Sequence, residues 1–409
     1  KATMVVSRGE IPPNLHFERP NPALQLEATC LRVPTEVVPW PEEGAPRRAI
    51  VNSFGYGGTN AAVVLEQAPL PSSVRSSLVD DHLSKWIVPV SGHTDAAVRA
   101  MADRIAAHLE SAGTQQDVVW SSWKRIHHRT RAAVVATDTS QLIAGLRALA
   151  ASKSAPGVLG PVSRPATANG SVFVYTGMGP QWEGMGRTLI EAEPVFSDTV
   201  RAFDEAFRRH SGWSLVDEVF LAPEGTARSM ARTDVAQPAN VALQLGLTAL
   251  LIAWGVTPRA VVGHSVGEIS AAFAAGLLTL EEVAQVAYVR SKLQQILVGA
   301  GTMLAVGLSE ADVESRIAAC SDVCIAAVNA PSSVTLAGSA DELQHMESML
   351  KDEGVFARLL RVDVPYHSKH MDRIKGDLLQ QLENLEARTP VLPIYSTAVG
   401  ARWTSTEGW

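Results

Sequence analysis

The 409-residue chain has only three cysteines, Cys30, Cys320 and Cys324. Three thiols cannot staple a chain of this length and an odd number leaves one unpaired, which excludes a disulfide scaffold and makes a reducing, cytoplasmic compartment the plain expectation. Cys320 and Cys324 are spaced as neighbours on a helix face, but no second Cys/His pair follows at ligand spacing. Buried inert thiols are therefore expected, and no metal site. Positive charge is in deficit: 35 Lys and Arg against 42 Asp and Glu give −7, which argues against a nucleic-acid partner held by bulk charge. A leader is not expected, since Lys1-Ala-Thr-Met-Val-Val-Ser-Arg8 has charge but too short an apolar run. One long uncharged run, Val235 to Pro258, has the length of a membrane span. Gln237, Pro238, Asn240, Gln244 and Thr248 interrupt it, so the expectation is a buried helix from about Pro238 to Gly255 and no membrane partner.

What remains is a globular composition, 46% hydrophobic and 19% charged with 30 Gly and 23 Pro, long enough for two or three domains. A Pro-rich, irregular stretch reaches about Pro71. It shows one strong strand, Ala61-Ala-Val-Val-Leu-Glu66, after the turn-rich Phe54-Gly-Tyr-Gly-Gly-Thr-Asn60. No self-sufficient core is expected there, as in a piece of a larger domain cut at residue 1. The middle alternates strand and helix: Trp86–Ser91, a helix from about Asp95 to Ala112, Arg131–Ala136, and a helix from about Ser140 to Ala151. A Ser/Pro/Gly/Ala-rich link, Ser152 to Gly170, follows. The third stretch has strands Ser171–Tyr175 and Ala260–Gly263 among helices, which implies an α/β fold with a parallel sheet. Within it, residues 302–364 read strand, helix, strand, strand, helix, strand, the order of a split βαβ, ferredoxin-like subdomain.

Gly263-His-Ser-Val-Gly267, between a strand and the helix Glu268–Ala275, fits the G-x-S-x-G nucleophile elbow in its structural context. The glycines matter because the serine sits on a sharp, strained turn, and the following helix N-terminus offers positive potential to an oxyanion. Ser265 needs a base. His264 is tied too tightly to the elbow, leaving His345 in mid-helix, His367 in Val364-Pro-Tyr-His-Ser368, and His370 as a local decoy. His367 is the one whose loop could lean over the elbow.

Gly263-His-Ser-Val-Gly-Glu268, with Tyr175-Thr-Gly-Met-Gly-Pro-Gln-Trp182 upstream and Pro365-Tyr-His-Ser368 downstream, resembles the malonyl-CoA:acyl carrier protein acyltransferase family, in the form found in type I polyketide synthases. Ile11-Pro-Pro-Asn-Leu-His-Phe17, Pro20-Asn-Pro22 and Val51-Asn-Ser-Phe-Gly-Tyr-Gly-Gly-Thr-Asn60 resemble the carboxyl end of a ketosynthase, and the middle module the linker that follows one. The resemblance implies a ketosynthase tail over 1–71, a small α/β linker over 72–165, and over 166–409 a transferase with a hydrolase-like parallel-sheet subdomain, a ferredoxin-like insertion and a truncated carboxyl end. It implies a ping-pong transfer from acyl-CoA to the phosphopantetheine thiol of an acyl carrier protein, with no bound cofactor, inside a parent homodimer joined through its ketosynthase. Ser265 would be the nucleophile, His367 the base, and the backbone N–H groups of Gln181 and Val266 the oxyanion hole. Arg290, 25 residues after the nucleophile, would grip a free malonyl carboxylate, a task suited to a guanidinium fork.

Tyr366 and Val266 lean the selection toward malonyl over methylmalonyl or another branched extender, because an aromatic ring crowds a branch at the α-carbon. Gln294 stands where the family often has Met beside the acyl pocket, and Met178 where a Gln is usual. Asn329 matches a family asparagine near the pocket, or is a turn residue before Pro331; Glu268 and Gln237 look like scaffold hydrogen-bonding groups. Two other functions compete: a serine hydrolase that releases acyl groups to water, against which Arg290 speaks, and a docking fragment without catalysis.

Overall fold

The computed structural model describes residues 1–41, 44–69, 85–111, 114–163 and 170–403 and separates into two units, Lys1–Ala166 and Thr167–Trp409. The boundaries expected at 71/72 and 165/166, and Ala112 as a helix end, fall outside the described residues.

In the first unit, α1 (Ala2–Arg8) stops at Gly9 in the left-handed conformation. The two-residue strands β1 (Glu10–Ile11) and β2 (Val38–Pro39) pair. β3 (Arg48–Phe54) and β4 (Asn60–Glu66) form an antiparallel hairpin from Arg48↔Glu66 to Phe54↔Asn60. Only β4 was expected; β3 carries Asn52 and Ser53 inside its apolar run, and its partner supplies what its pattern lacks. Neither strand has a buried residue, in keeping with a segment that has no core of its own.

Next come β5 (Trp86–Gly92), α2 (Asp95–Ser111), α3 (Gln115–Lys124), β6 (Thr130–Ala136), α4 (Thr139–Ala150) and β7 (Val158–Ser163). The sheet runs β5-β6-β7, all antiparallel. Alternate residues Val88, Val90 and Val134 meet the helix stripes Val98, Ala102, Ala106 and Leu142, Leu146, Leu149 in one core, the period-2 and period-3.6 faces the sequence shows. Two elements exceed the expectation. Helix α3 is capped by the Thr114 side chain, and β7 lies within what reads as a link. Gly160 and Pro161 break β7's alternation. They sit on an edge strand where the register with β6 slips between Arg131 and Ala133, a place where a missing N–H is tolerated.

The second unit opens with β8 (Ser171–Tyr175), α5 (Arg187–Ala192), α6 (Pro194–Ser211), α7 (Thr233–Ala253), β9 (Pro258–Gly263), α8 (Gly267–Ala274) and α9 (Leu280–Gln295). An insertion follows: β10 (Thr302–Val306), α10 (Glu310–Ile317), β11 (Val323–Ala330), β12 (Ser333–Gly338), α11 (Ala340–Asp352) and β13 (Ala357–Leu359). The chain returns through α12 (Asp372–Gln381), β14 (Ile394–Ser396) and β15 (Ala401–Arg402).

The insertion's sheet is β11-β12-β10-β13, antiparallel throughout, the expected split βαβ. The main sheet is β15-β14-β9-β8, with β8, β9 and β14 parallel and β15 antiparallel at the edge. Phe196, Phe203 and Phe207 of α6, Leu245 of α7 and Leu277 are buried in its core. Helix α7 starts at Thr233 and contains Pro238, earlier than expected. Asp234 in its first turn suits the helix dipole and pairs with Arg232 at 2.6 Å, a start signal upstream of the proline. It is long and apolar enough to cross a membrane, and 67% of its apolar window is buried inside the protein. Cys320 and Cys324 share no helix face: α10 ends at Ile317, and Cys324 lies in β11.

Candidate active site

Ser265 lies two residues beyond Gly263, the last residue of β9, and takes φ 54°, left-handed for a non-glycine residue. The neighbouring glycines make that turn possible. A Cβ on Gly263 would lie 2.4 Å from the Glu268 backbone nitrogen, and one on Gly267 2.3 Å from the Tyr175 carbonyl oxygen, so the elbow closes only without those side chains. Glu268 bolts α8 to the end of β14: its Oε1 accepts from Thr397 N at 3.1 Å and lies 3.0 Å from Thr397 Oγ1. The loop after β8 passes over the serine, since a Cβ on Gly177 would meet Ser265 Cβ at 3.4 Å.

His367 arrives from the exit of the insertion, also left-handed at φ 60°. Ser368 holds that bend by donating to Pro365 O at 2.6 Å and accepting from His370 N at 3.3 Å. His367 Nε2 lies 2.9 Å from Ser265 Oγ. On the other side, Arg290 Nη2 of α9 donates to Ser265 Oγ at 3.3 Å, and its Nη1 donates to Gln237 Oε1 of α7. Tyr366 Oη is 2.6 Å from Thr233 Oγ1, which fixes a ring only 8% exposed.

The electrostatics follow from crowding and from Arg290. Burial, then the Arg290 and His264 charges, push the His367 imidazolium down from 6.5 to about 4, so the ring is neutral near pH 7 although part of it faces solvent. Burial also lowers Arg290 to about 10, against the pull of Tyr366 and Glu268. The guanidinium stays charged. A neutral imidazole against a serine hydroxyl, with a fixed cation beside them, can activate the hydroxyl toward an acyl group that carries a negative charge.

The structure thus brings Ser265, His367, Arg290 and Tyr366 together. Val266 is fully buried at the N-cap of α8, where its N–H has no preceding helical turn to bond. Gln181 lies in the loop after β8, its Oε1 accepting from Gly179 N at 2.7 Å. Gln294 stands behind Arg290, its Oε1 accepting from Gln237 Nε2 at 2.6 Å. Asn329 is inside β11, exposed, and donates to Thr335 Oγ1 at 3.0 Å. Because β11 runs on to Ala330, Asn329 is a strand residue and not the turn residue before Pro331. Of the other histidines, His370 pairs with Asp322 at 2.9 Å, and His345 lies exposed within α11. Among the described residues no group of three or more His, Cys, Asp or Glu is placed to hold a metal ion.

Residues 172–407 match the acyl transferase domain family. The chain belongs to that family. Residues 20–135 of the same chain match the ketoacyl-synthetase C-terminal extension, a match that runs across position 71. The acyltransferase chain is 38% identical over 401 residues to a component of the phenolphthiocerol/phthiocerol polyketide synthase of Mycobacterium tuberculosis, covering 97% of this chain and 26% of the relative. It is 38% identical over 413 residues to polyketide synthase GfsA of Streptomyces halstedii, covering all of this chain and 5% of the relative. It thus spans about a quarter or less of these type I polyketide synthases. Among solved structures, the acyltransferase domain from module 8 of the salinomycin polyketide synthase superposes with TM-score 0.74 at 33% identity, over 79% of this chain and 77% of that one. The acyltransferase domain of the polyketide synthase PpsC of Mycobacterium tuberculosis does so with TM-score 0.53 at 35% identity, over 62% and 74%.

Gln237 is the acyltransferase site residue that sequence reading placed elsewhere, as scaffold. Its signal was a glutamine within the uncharged run 235–253 of that helix; it is buried, a buried amide needs partners, and one of them is the site's cation.

Proposed function

We propose that this acyltransferase moves a malonyl extender unit from coenzyme A to the phosphopantetheine thiol of an acyl carrier protein through an ester on Ser265. The observation that carries the reading is Arg290 Nη2 at 3.3 Å from Ser265 Oγ. A permanent cation so close to the nucleophile is costly unless an anion uses it, and a carboxylate two bonds from the reacting carbonyl carbon is such an anion.

In the first half-reaction His367 Nε2 takes the Ser265 proton as Oγ attacks the thioester carbonyl. The tetrahedral oxyanion faces the N–H groups of Val266 and Gln181, the C–S bond breaks, and the CoA sulfur leaves with the proton from His367. In the second, the carrier thiol gives its proton to His367 and attacks the ester; the C–O bond breaks and Ser265 recovers the proton. The chain's own side chains supply every proton transfer. The Tyr366 ring, anchored by Thr233, opposes a branch at the α-carbon, which favours malonyl over methylmalonyl. The match to a ketoacyl-synthetase extension supports a ketosynthase as the other partner.

The test is transfer from malonyl-CoA to a phosphopantetheinylated carrier protein. Malonyl on the carrier with wild type, and none with Ser265→Ala or with the carrier lacking its arm, is expected. CoA release to water at the same rate with and without the carrier would make the protein a hydrolase instead.

A further inference from the structure

His367 holds φ 60°, a conformation that a non-glycine residue keeps only where its surroundings over-determine it. The hydrogen bonds of Ser368 close the turn locally but do not fix where it points. Before the bend, Tyr366 is tied to Thr233 of α7. After it, two consecutive side chains reach the same place in the insertion. His370 Nε2 lies 2.9 Å from both carboxylate oxygens of Asp322. Lys369 Nζ donates to Ser321 O at 2.9 Å and lies 3.2 Å from Asp322 Oδ1. Against the effect of burial, these His370 and Lys369 contacts hold the Asp322 carboxyl below its usual range, and a carboxylate only accepts, so His370 Nε2 carries the hydrogen between them. Asp322 is itself braced. Its N donates to Glu342 Oε2 in the first turn of α11 at 3.3 Å, its O accepts from Ser339 N at 2.8 Å, and Gly338 passes so close that a Cβ there would overlap that oxygen. The insertion thus presents one fixed carboxylate to the segment that follows the base.

We infer that Asp322 is a positioning residue: through His370 and Lys369 it anchors the segment after His367 to the insertion, and so keeps the His367 ring against Ser265 Oγ. The inference rests on the reading of His367 as the base of Ser265. With the anchor gone, the segment beyond His367 is free to release the strain of the left-handed bend, and the ring leaves its 2.9 Å contact with Ser265 Oγ.

Asp322→Ala removes the carboxylate, whereas Asp322→Asn keeps an acceptor oxygen for His370. In the Ala variant the saturating rate of Ser265 acylation is expected to fall about ten- to a hundredfold for malonyl-CoA and acetyl-CoA alike, with the half-saturating concentrations unchanged, and in the Asn variant to recover most of that loss. A loss of stability alone would leave the folded protein acylating at the wild-type rate. A second measurement needs no substrate: burial and the Arg290 charge hold the His367 titration at about 4, so a ring that leaves its place should show a higher midpoint by NMR. His370→Ala removes the other half of the pair and gives the same two measurements if Asp322→Ala does not fold; where both fold, the double variant should cost little more than Asp322→Ala alone. A folded variant with both the acylation rate and the His367 midpoint unmoved overturns the inference. A wild type that takes no acyl group from either donor overturns the proposed function instead, and the His367 titration still decides the role of Asp322.

Discussion

Arg290 and His367 converge on a single atom, Ser265 Oγ, at 3.3 Å and 2.9 Å. The cation therefore touches the nucleophile and depresses its base at once. A bound acyl carboxylate that pairs with Arg290 relieves that depression, so a donor with the right charge also makes His367 a better base.

This coupling has a pH signature. With His367 near 4 in the free protein, kcat/KM for malonyl-CoA should stay level from neutral pH to about 5 and fall below it. The acid limb of kcat, which reports the complex, should lie at higher pH. With acetyl-CoA, which leaves Arg290 unpaired, the two limbs should coincide. Steady-state profiles with both donors check this; limbs near 6.5 with both donors would remove the coupling.

The same titration bears on stability. From about 6.5 down to about 4 the unfolded chain binds a proton at His367 that the folded protein does not, so stability falls as pH drops through that window. Urea unfolding across it should show a smaller pH slope for His367→Gln than for wild type.

At the elbow, Gly267→Ala would put a Cβ 2.3 Å from the Tyr175 carbonyl oxygen. The expected cost is about 3 kcal/mol, the upper end for forced overpacking, with Ser265 acylation lost even at temperatures where the variant stays folded. Thermal unfolding and acyl-enzyme formation, measured side by side, check it; wild-type behaviour in both would show the turn to be tolerant.

Tyr366→Ser removes the ring and the bond to Thr233. One methyl group is worth about 1–3 kcal/mol of discrimination, so the malonyl preference over methylmalonyl should drop by roughly ten- to a hundredfold, while Tyr366→Phe should keep most of it. Competition between the two CoA donors measures both ratios.

Much of this was legible from local signals. β8, β9 and α8 stand where the strand–elbow–helix pattern puts them, and 302–364 folds as its element order implies, because period and turn residues act over a few positions. β3 and β7 were illegible because Asn52 and Ser53, and Gly160 and Pro161, spoil their alternation, and pairing with a neighbour overrides that. At the site, Ser265 could be named from the elbow motif, and His367 and Arg290 from the family resemblance. The Gln294–Gln237–Arg290 chain could not, since it joins side chains of two helices 57 and 53 positions apart. The turn reading of Asn329 failed because β11 continues through it to Ala330, where its amide bonds Thr335.

The most direct measurement is intact-protein mass spectrometry after brief exposure to malonyl-, methylmalonyl- and acetyl-CoA, for wild type, Ser265→Ala and Arg290→Ala. The account predicts a malonyl adduct on wild type, none on Ser265→Ala, and for Arg290→Ala a malonyl adduct reduced to or below the acetyl level. A malonyl adduct that survives in Ser265→Ala, or a malonyl preference unchanged in Arg290→Ala, would contradict it.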